Sequence, residues 1–335
     1  MRGLAFVALI LWAGLARAAD FEERQVFDAP EATQTLRVLS STDTDSFAPV
    51  LTGFIAQNPS VSIDYAVAGS ADIVDIIAQC GDCFDVVISS AMDLQLKLAN
   101  DGLARRLPDV DPSAGSQWRQ SLFGFTHEPA TIVLNRAAFA GRPMPKTRQE
   151  LIEALRADPE FFRGKVGTYD VRLSGLGYLF ATQDARTSET YWRLMEVFGS
   201  LGALLYCCSG AMIDDLAQGD LFVAYNVLGS YAATRPETRE KVTIITPTDF
   251  ATTMMRTVLV LDTTSQAEAA TNLVRYLTSG IWAETDRPGY PLPAIGVTEV
   301  PPPAGVVTLE PGLLVYLDAL KRSLFLGAWS SALEQ

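Results

Sequence analysis

Leu36-Arg37-Val38-Leu39-Ser40-Ser41-Thr42-Asp43 is the stretch on which the fold class turns. Its apolar half, Leu36–Leu39, reads as a short strand. Its polar half is a turn of small hydroxyl residues, and Asp45–Gln57 then places apolar residues at helical spacing. The unit repeats at once. Val61–Ala66 reads as a strand, Gly69-Ser70-Ala71-Asp72 as a turn and Ala71–Gln79 as a helix; Asp85–Ile88 is followed by Ser89-Ser90-Ala91-Met92-Asp93 and a helix over Met92–Asn100. Strands that alternate with helices in this way predict an α/β architecture with a largely parallel sheet.

The pattern extends outward. Leu122–Thr126 and Thr131–Leu134 flank His127-Glu128-Pro129-Ala130, and a strand pair interrupted by proline suits a crossing between two lobes. A second α/β block follows, with a helix at Arg148–Ala157, a strand at Lys165–Tyr169, helices at Gly177–Asp184 and Ser188–Gly199, and strands at Ala203–Tyr206, Leu221–Asn226 and Val242–Ile245. Met255–Leu261 is strand-like, and Ala269, Ala270, Leu273, Val274 and Leu277 mark a helix over Gln266–Ser279. Pro288–Pro303 reads as a linker-like wrap and Leu313–Leu333 as a closing helical region. Residues up to about Thr33 read as an acidic leader without an element.

The chain has 335 residues, 48% of them apolar, which favours two domains with packed cores over one. Acidic groups outnumber basic ones, 39 to 26, for a net charge of −13. Such a surface repels polyanions, so nucleic acid and anionic membrane surfaces are excluded as partners. With His127 as the sole histidine, multi-histidine zinc sites are excluded too.

Arg2, the apolar run Leu4–Leu15 and the small-x-small triplet Ala16-Arg17-Ala18 form a signal peptide over residues 1–18, cleaved after Ala18. The expected location is therefore periplasmic. Loss of Arg2 and Arg17 leaves 24 basic groups against 39 acidic ones, a net charge of −15. Export also permits disulfides. Cys80 and Cys83 are spaced for a local bond, whereas Cys207 and Cys208 are neighbours that pair only under strain; four cysteines allow three pairings, and all stay open here.

Ligands of open α/β sheets lie beyond the carboxyl ends of the strands, where helix N-termini present free N–H groups. The residues just after each strand are accordingly the candidates: Ser41, Thr42, Ser70, Ser89 and Ser90 in the first block, and Arg172, Ser174, Gly175, Ser209, Tyr225, Asn226 and Ser230 in the second. Together they would line a polar cleft for a small anionic or polyhydroxylated molecule, with Arg172 as a bidentate cation beside a helix start. Because the global field opposes anions, the attraction would have to be local. No cofactor or metal is expected. Gly175-Leu176-Gly177-Tyr178-Leu179-Phe180 has Phe in place of the third glycine of a dinucleotide fingerprint, and Asp109-Val110-Asp111-Pro112-Ser113 departs from a calcium loop at its glycine and final acid. No nucleophile has a plausible base nearby in sequence, so catalysis is not expected.

The leader, the Leu36–Asp43 opening, Gly69–Asp72, Asp85-Val86-Val87-Ile88-Ser89-Ser90 and Tyr225-Asn226-Val227-Leu228-Gly229-Ser230-Tyr231 together resemble the periplasmic extracellular solute-binding proteins of ABC transporters, in the ferric-iron-type branch of the class 2 fold. The resemblance spans the mature chain. It implies two lobes joined by two crossover strands, near Thr126–Ala130 and Thr253–Thr257, with lobe 1 formed by residues 34–127 and 257–335 and lobe 2 by residues 128–256. It also implies a monomer that captures a small anionic solute, such as a carboxylate, phosphate or sugar phosphate, for an ABC permease. A membrane sensor kinase as receiving partner, a ferric-iron load and an exported enzyme on the same fold are the alternatives. The ferric branch uses adjacent tyrosines, whereas Tyr225 and Tyr231 here lie apart.

Overall fold

The structure, a computed structural model, describes residues 21–111, 116–233, 236–249, 252–283, 292–295 and 305–334. The expected signal peptide lies outside the described residues, as does the Pro-rich wrap apart from residues 292–295. Strands in chain order are β1 (Glu23–Phe27), β2 (Gln34–Ser40), β3 (Val61–Val67), β4 (Val86–Ser89), β5 (Gln117–Trp118), β6 (Leu122–Gly124), β7 (Glu128–Asn135), β8 (Val166–Tyr169), β9 (Leu204–Tyr206), β10 (Val223–Leu228), β11 (Val242–Ile245), β12 (Thr253–Met254) and β13 (Thr257–Val260). They form two sheets, in the orders β1-β3-β2-β4-β13-β6-β5 and β11-β7-β10-β8-β9, with β12 also on β7.

The opening unit folds as its sequence predicts. β2 runs parallel to β3 and β4, with Val38 opposite Tyr65 and Val86. Both faces of this sheet are covered, and alternate residues enter different cores. Val38, Val86 and Ile88 pack with Phe47, Phe54 and Leu273, while Leu39 and Val87 pack with Met92 and Leu96. Each such side chain removed from water contributes about 1.5–3 kcal/mol, which is why β-branched runs in this chain become central strands. The second sheet is built the same way: Ile132, Leu134, Val166 and Val223 face the helices Arg148–Ala157 and Thr190–Ser200.

Two departures from the sequence reading stand out. The leader contains β1, an antiparallel edge strand on β3, fastened where Arg24 donates to both carboxylate oxygens of Asp64 at 2.9 and 2.6 Å. A strand with four exposed residues of five carries almost no apolar signal. The C-terminal end differs as well. Expected with the first lobe, the helix Ala319–Leu333 instead packs Phe325 and Trp329 into the core of the second.

The chain passes from the first sheet to the second between β6 and β7 and returns between β12 and β13, so both crossings lie side by side. At their meeting point Arg256, fully buried, donates to both oxygens of Glu128 at 3.1 Å. Thr126 and Ser230 donate to the same carboxylate at 2.9 and 2.8 Å, and Arg256 also reaches the Thr42 hydroxyl. Burial by itself lowers the pKa of this guanidinium; the Glu128 charge more than offsets that and raises it. An ion pair of this kind locks the two crossings to each other and to the end of β2.

Candidate functional site

Between the sheets lies a cavity of about 230 Å³, several times the ~30 Å³ share of one water molecule in the liquid and thus of a size for a small solute. The carboxyl ends of β2, β3 and β4 make one wall, and those of β8, β9 and β10 make the other, as the strand-end rule requires.

Six of the twelve residues expected from sequence line this cavity: Ser41, Ser70, Ser90, Arg172, Ser174 and Ser209. Ser41 donates to Ser89 at 3.2 Å and accepts from the Ser90 backbone N–H at 3.2 Å, fixing the turn after β4. Ser70 reaches across the cleft and accepts from the Leu176 N–H at 3.2 Å. Ser174 caps the helix Gly175–Thr187 by accepting from the Gly177 N–H at 3.1 Å. Ser209 shares a 2.5 Å hydrogen bond with the Tyr169 hydroxyl and accepts from the Leu228 N–H at 3.3 Å.

The other six are absent from the cavity lining. Thr42 and Ser230 belong to the Arg256–Glu128 junction. Ser89 is buried and accepts from the Ala91 N–H at 3.1 Å. Gly175 marks where the walls touch, since a Cβ there would lie 3.0 Å from the Ser70 backbone. Tyr225 and Asn226 turn away into the second lobe, where both donate to Asp184, at 2.9 and 3.0 Å. Asp184 also accepts from Thr252 at 2.9 Å and from buried Arg148 at 2.6 Å.

Electrostatically the cavity is not the one expected. Arg172 donates to both oxygens of Asp170 at 2.8 Å and to Glu334 at 2.6 Å, with its guanidinium also 5.4 Å from the Trp329 ring. It pins the C-terminal helix to the second lobe, and two carboxylates already balance its charge. Facing it are Glu22, Asp43 and Asp72, three carboxylates from the first wall. Burial, then the charges of Asp43, Asp72 and Glu23, raises the Glu22 pKa. Sequence reading passed over all three acids as ligand candidates. Asp43 and Asp72 sit in the same strand-end turns as the chosen serines and could have been found; Glu22 stands just before the unrecognised strand β1 and carried no signal.

Among the described residues no group of three or more His, Cys, Asp or Glu side chains is arranged to hold a metal ion. Cys80 and Cys83 form a disulfide, with Cα atoms 5.6 Å apart, while Cys207 and Cys208 are free and line the cavity. No helix among the described residues is long and apolar enough to cross a membrane.

Two α/β lobes, joined by two adjacent crossings and enclosing a small polar cavity, define the class of two-lobed binding proteins. Residues 36–284 match the model of the bacterial extracellular solute-binding protein family, and the chain belongs to that family. A substrate-binding protein of an ABC transporter from Agrobacterium tumefaciens is 30% identical, with a TM-score of 0.85 over 93% of this chain and 98% of that one. AfuA from Actinobacillus pleuropneumoniae, solved with fructose-6-phosphate, shares the fold at 15% identity, with a TM-score of 0.69 over 90% of this chain and 99% of its own. Iron-bound HitA from Pseudomonas aeruginosa does so at 15% identity and a TM-score of 0.64, over 89% and 99%. No curated protein matches the sequence. The chain is an extracellular solute-binding protein of the ABC-transporter type.

Proposed function

We propose that the chain captures one small hydroxylated solute of positive or zero net charge in this cleft and hands it to an ABC permease. The observation that carries the reading is the charge of the walls: Glu22, Asp43 and Asp72 crowd one side, and the Arg172 guanidinium opposite is already held by Asp170 and Glu334. Asp43 and Asp72 are also the N-cap residues of the helices Thr44–Gln57 and Ile73–Cys80, so they oppose the partial positive charge of those helix starts. Ser41, Ser70, Ser90 and Ser209 add hydroxyls to the cavity lining, which suits a polar solute. The anion expected from sequence depended on Arg172 as an unengaged cation.

One observation favours an anion nonetheless. The helices beginning at Gly175 and Ser209 carry no acid in their first turns, and their N-termini reach the cavity. A thermal-shift panel separates the readings. Organic amines, neutral polyols, phosphate esters, di- and tricarboxylates and Fe(III) are each added to the purified chain, and a solute at a hundred times its Kd stabilises the fold by ~2.7 kcal/mol. Amines or polyols should raise Tm. A shift confined to phosphates, carboxylates or Fe(III) would overturn the proposal. Delivery to a permease rather than a sensor kinase is read separately, by reconstituted uptake of the same solute.

A further inference from the structure

We propose that Cys207 and Cys208 form a reversible dithiol–disulfide couple in the wall of the solute cleft. The two sulfurs are 2.9 Å apart, both residues are exposed, and both line the cavity, so a small reagent entering the cleft reaches them. The proposal concerns the protein's own thiols and stands or falls independently of which solute binds.

The second cysteine pair supplies the contrast. Cys80 and Cys83 are bonded across a Cα separation of 5.6 Å, within the ~4.4–6.8 Å usual for a disulfide. Consecutive Cα atoms are only ~3.8 Å apart, so a bond between Cys207 and Cys208 must distort the peptide between them. Strained, exposed disulfides have the more oxidising potentials and are the labile ones, whereas structural clips resist reduction. A bond between Cys207 and Cys208 is thus of the labile kind that cycles.

Position makes the cycle consequential. Cys207 follows β9, and Cys208 is the extended N-cap, with φ −147° and ψ 157°, of the helix Ser209–Gln218. Closing a ring over these two residues constrains the start of that helix, and with it the Ser209 hydroxyl that holds Tyr169 and the Leu228 N–H at the cavity edge. The oxidation state of the pair therefore reaches the surface a solute touches.

The oxidant is a low-molecular-weight disulfide or the disulfide of an exported oxidoreductase, classes that an extracytoplasmic compartment supplies. Cys207 as thiolate attacks one sulfur of the oxidant, forming a mixed disulfide and expelling one thiolate. Cys208 then loses its proton and attacks the Cys207 sulfur, forming the internal bond and expelling the second. Two thiols become one disulfide, and the oxidant is reduced to two thiols. Desolvation of its sulfur, then the hydrogen bond with Cys207, pushes the Cys208 thiol up.

The test is mass spectrometry of the full chain treated with oxidised glutathione. The wild type should lose two hydrogens, mapped to the peptide holding residues 207 and 208, and mild reductant should restore them. Cys208→Ser should instead hold a single glutathione on Cys207. Stable glutathione adducts on the wild type, unreacted thiols, or a bond from Cys207 or Cys208 to another residue would each overturn the proposal.

Discussion

The two walls of the cleft are built by the same strand-turn-helix unit yet differ in how they treat charge. The first wall leaves Glu22, Asp43 and Asp72 close together at the cavity, where the latter two help raise the pKa of the first. On the second wall, the lining cation Arg172 is held in a double ion pair and Tyr225 and Asn226 are drawn inward around Asp184. Behind the walls the contrast continues. Asp184 and Arg148 are both almost wholly buried, whereas Asp85, the buried acid of the first sheet, pairs with an Arg37 side chain 36% exposed. The lesson is that a polar residue at a strand end can be either lining or scaffold, and burial decides which.

The largest expected effect comes from that second-wall hub. Asp184→Ala removes the carboxylate paired with buried Arg148 and should cost about 3–5 kcal/mol in urea unfolding. Asp85→Ala should cost clearly less, since Arg37 can turn to water; equal losses would break the comparison. Next is Asp93, on the first side, whose pKa burial raises to about 7, with only partial relief from the Leu94 N–H and other groups. A raised carboxyl favours the protonated native state. Its contribution is therefore full below the unfolded value of 3.8 and is lost as pH rises towards 7. Asp93→Asn should flatten this fall of roughly 2–4 kcal/mol between acid and neutral pH. An unchanged pH–stability profile would remove Asp93 from the account.

A smaller effect is expected where the walls touch. Gly175→Ala places a Cβ against the Ser70 backbone and should cost ~1–3 kcal/mol while opening the cleft, seen as a larger radius of gyration in X-ray scattering. The smallest is Arg172→Ala. With its side chain 41% exposed, its ion pairs should be worth no more than ~1 kcal/mol, and any solute-induced Tm shift should survive.

The first sheet was legible because buried central strands read as apolar β-branched runs, and the ends of β2, β3 and β4 differ from those expected by at most two residues. Edge strand β1 was illegible because its polar surface carries no period. Tyr225 and Asn226 were misassigned for a local reason: β10 continues to Leu228, so these two lie within the strand and not beyond it. Asp170, two residues before Arg172, was a visible partner for the guanidinium, but Glu334 comes from the far end of the chain and only tertiary packing brings it there.

Calorimetric titration of the best solute from the panel into the wild type and into Asp43→Asn/Asp72→Asn, at low and high salt, tests the charge of the cleft most directly. The account predicts a neutral or cationic solute. If it is cationic, its affinity should drop in the double variant and fall with salt in the wild type. An anion that binds the wild type, gains affinity in the double variant and loses it in Arg172→Ala would contradict the account.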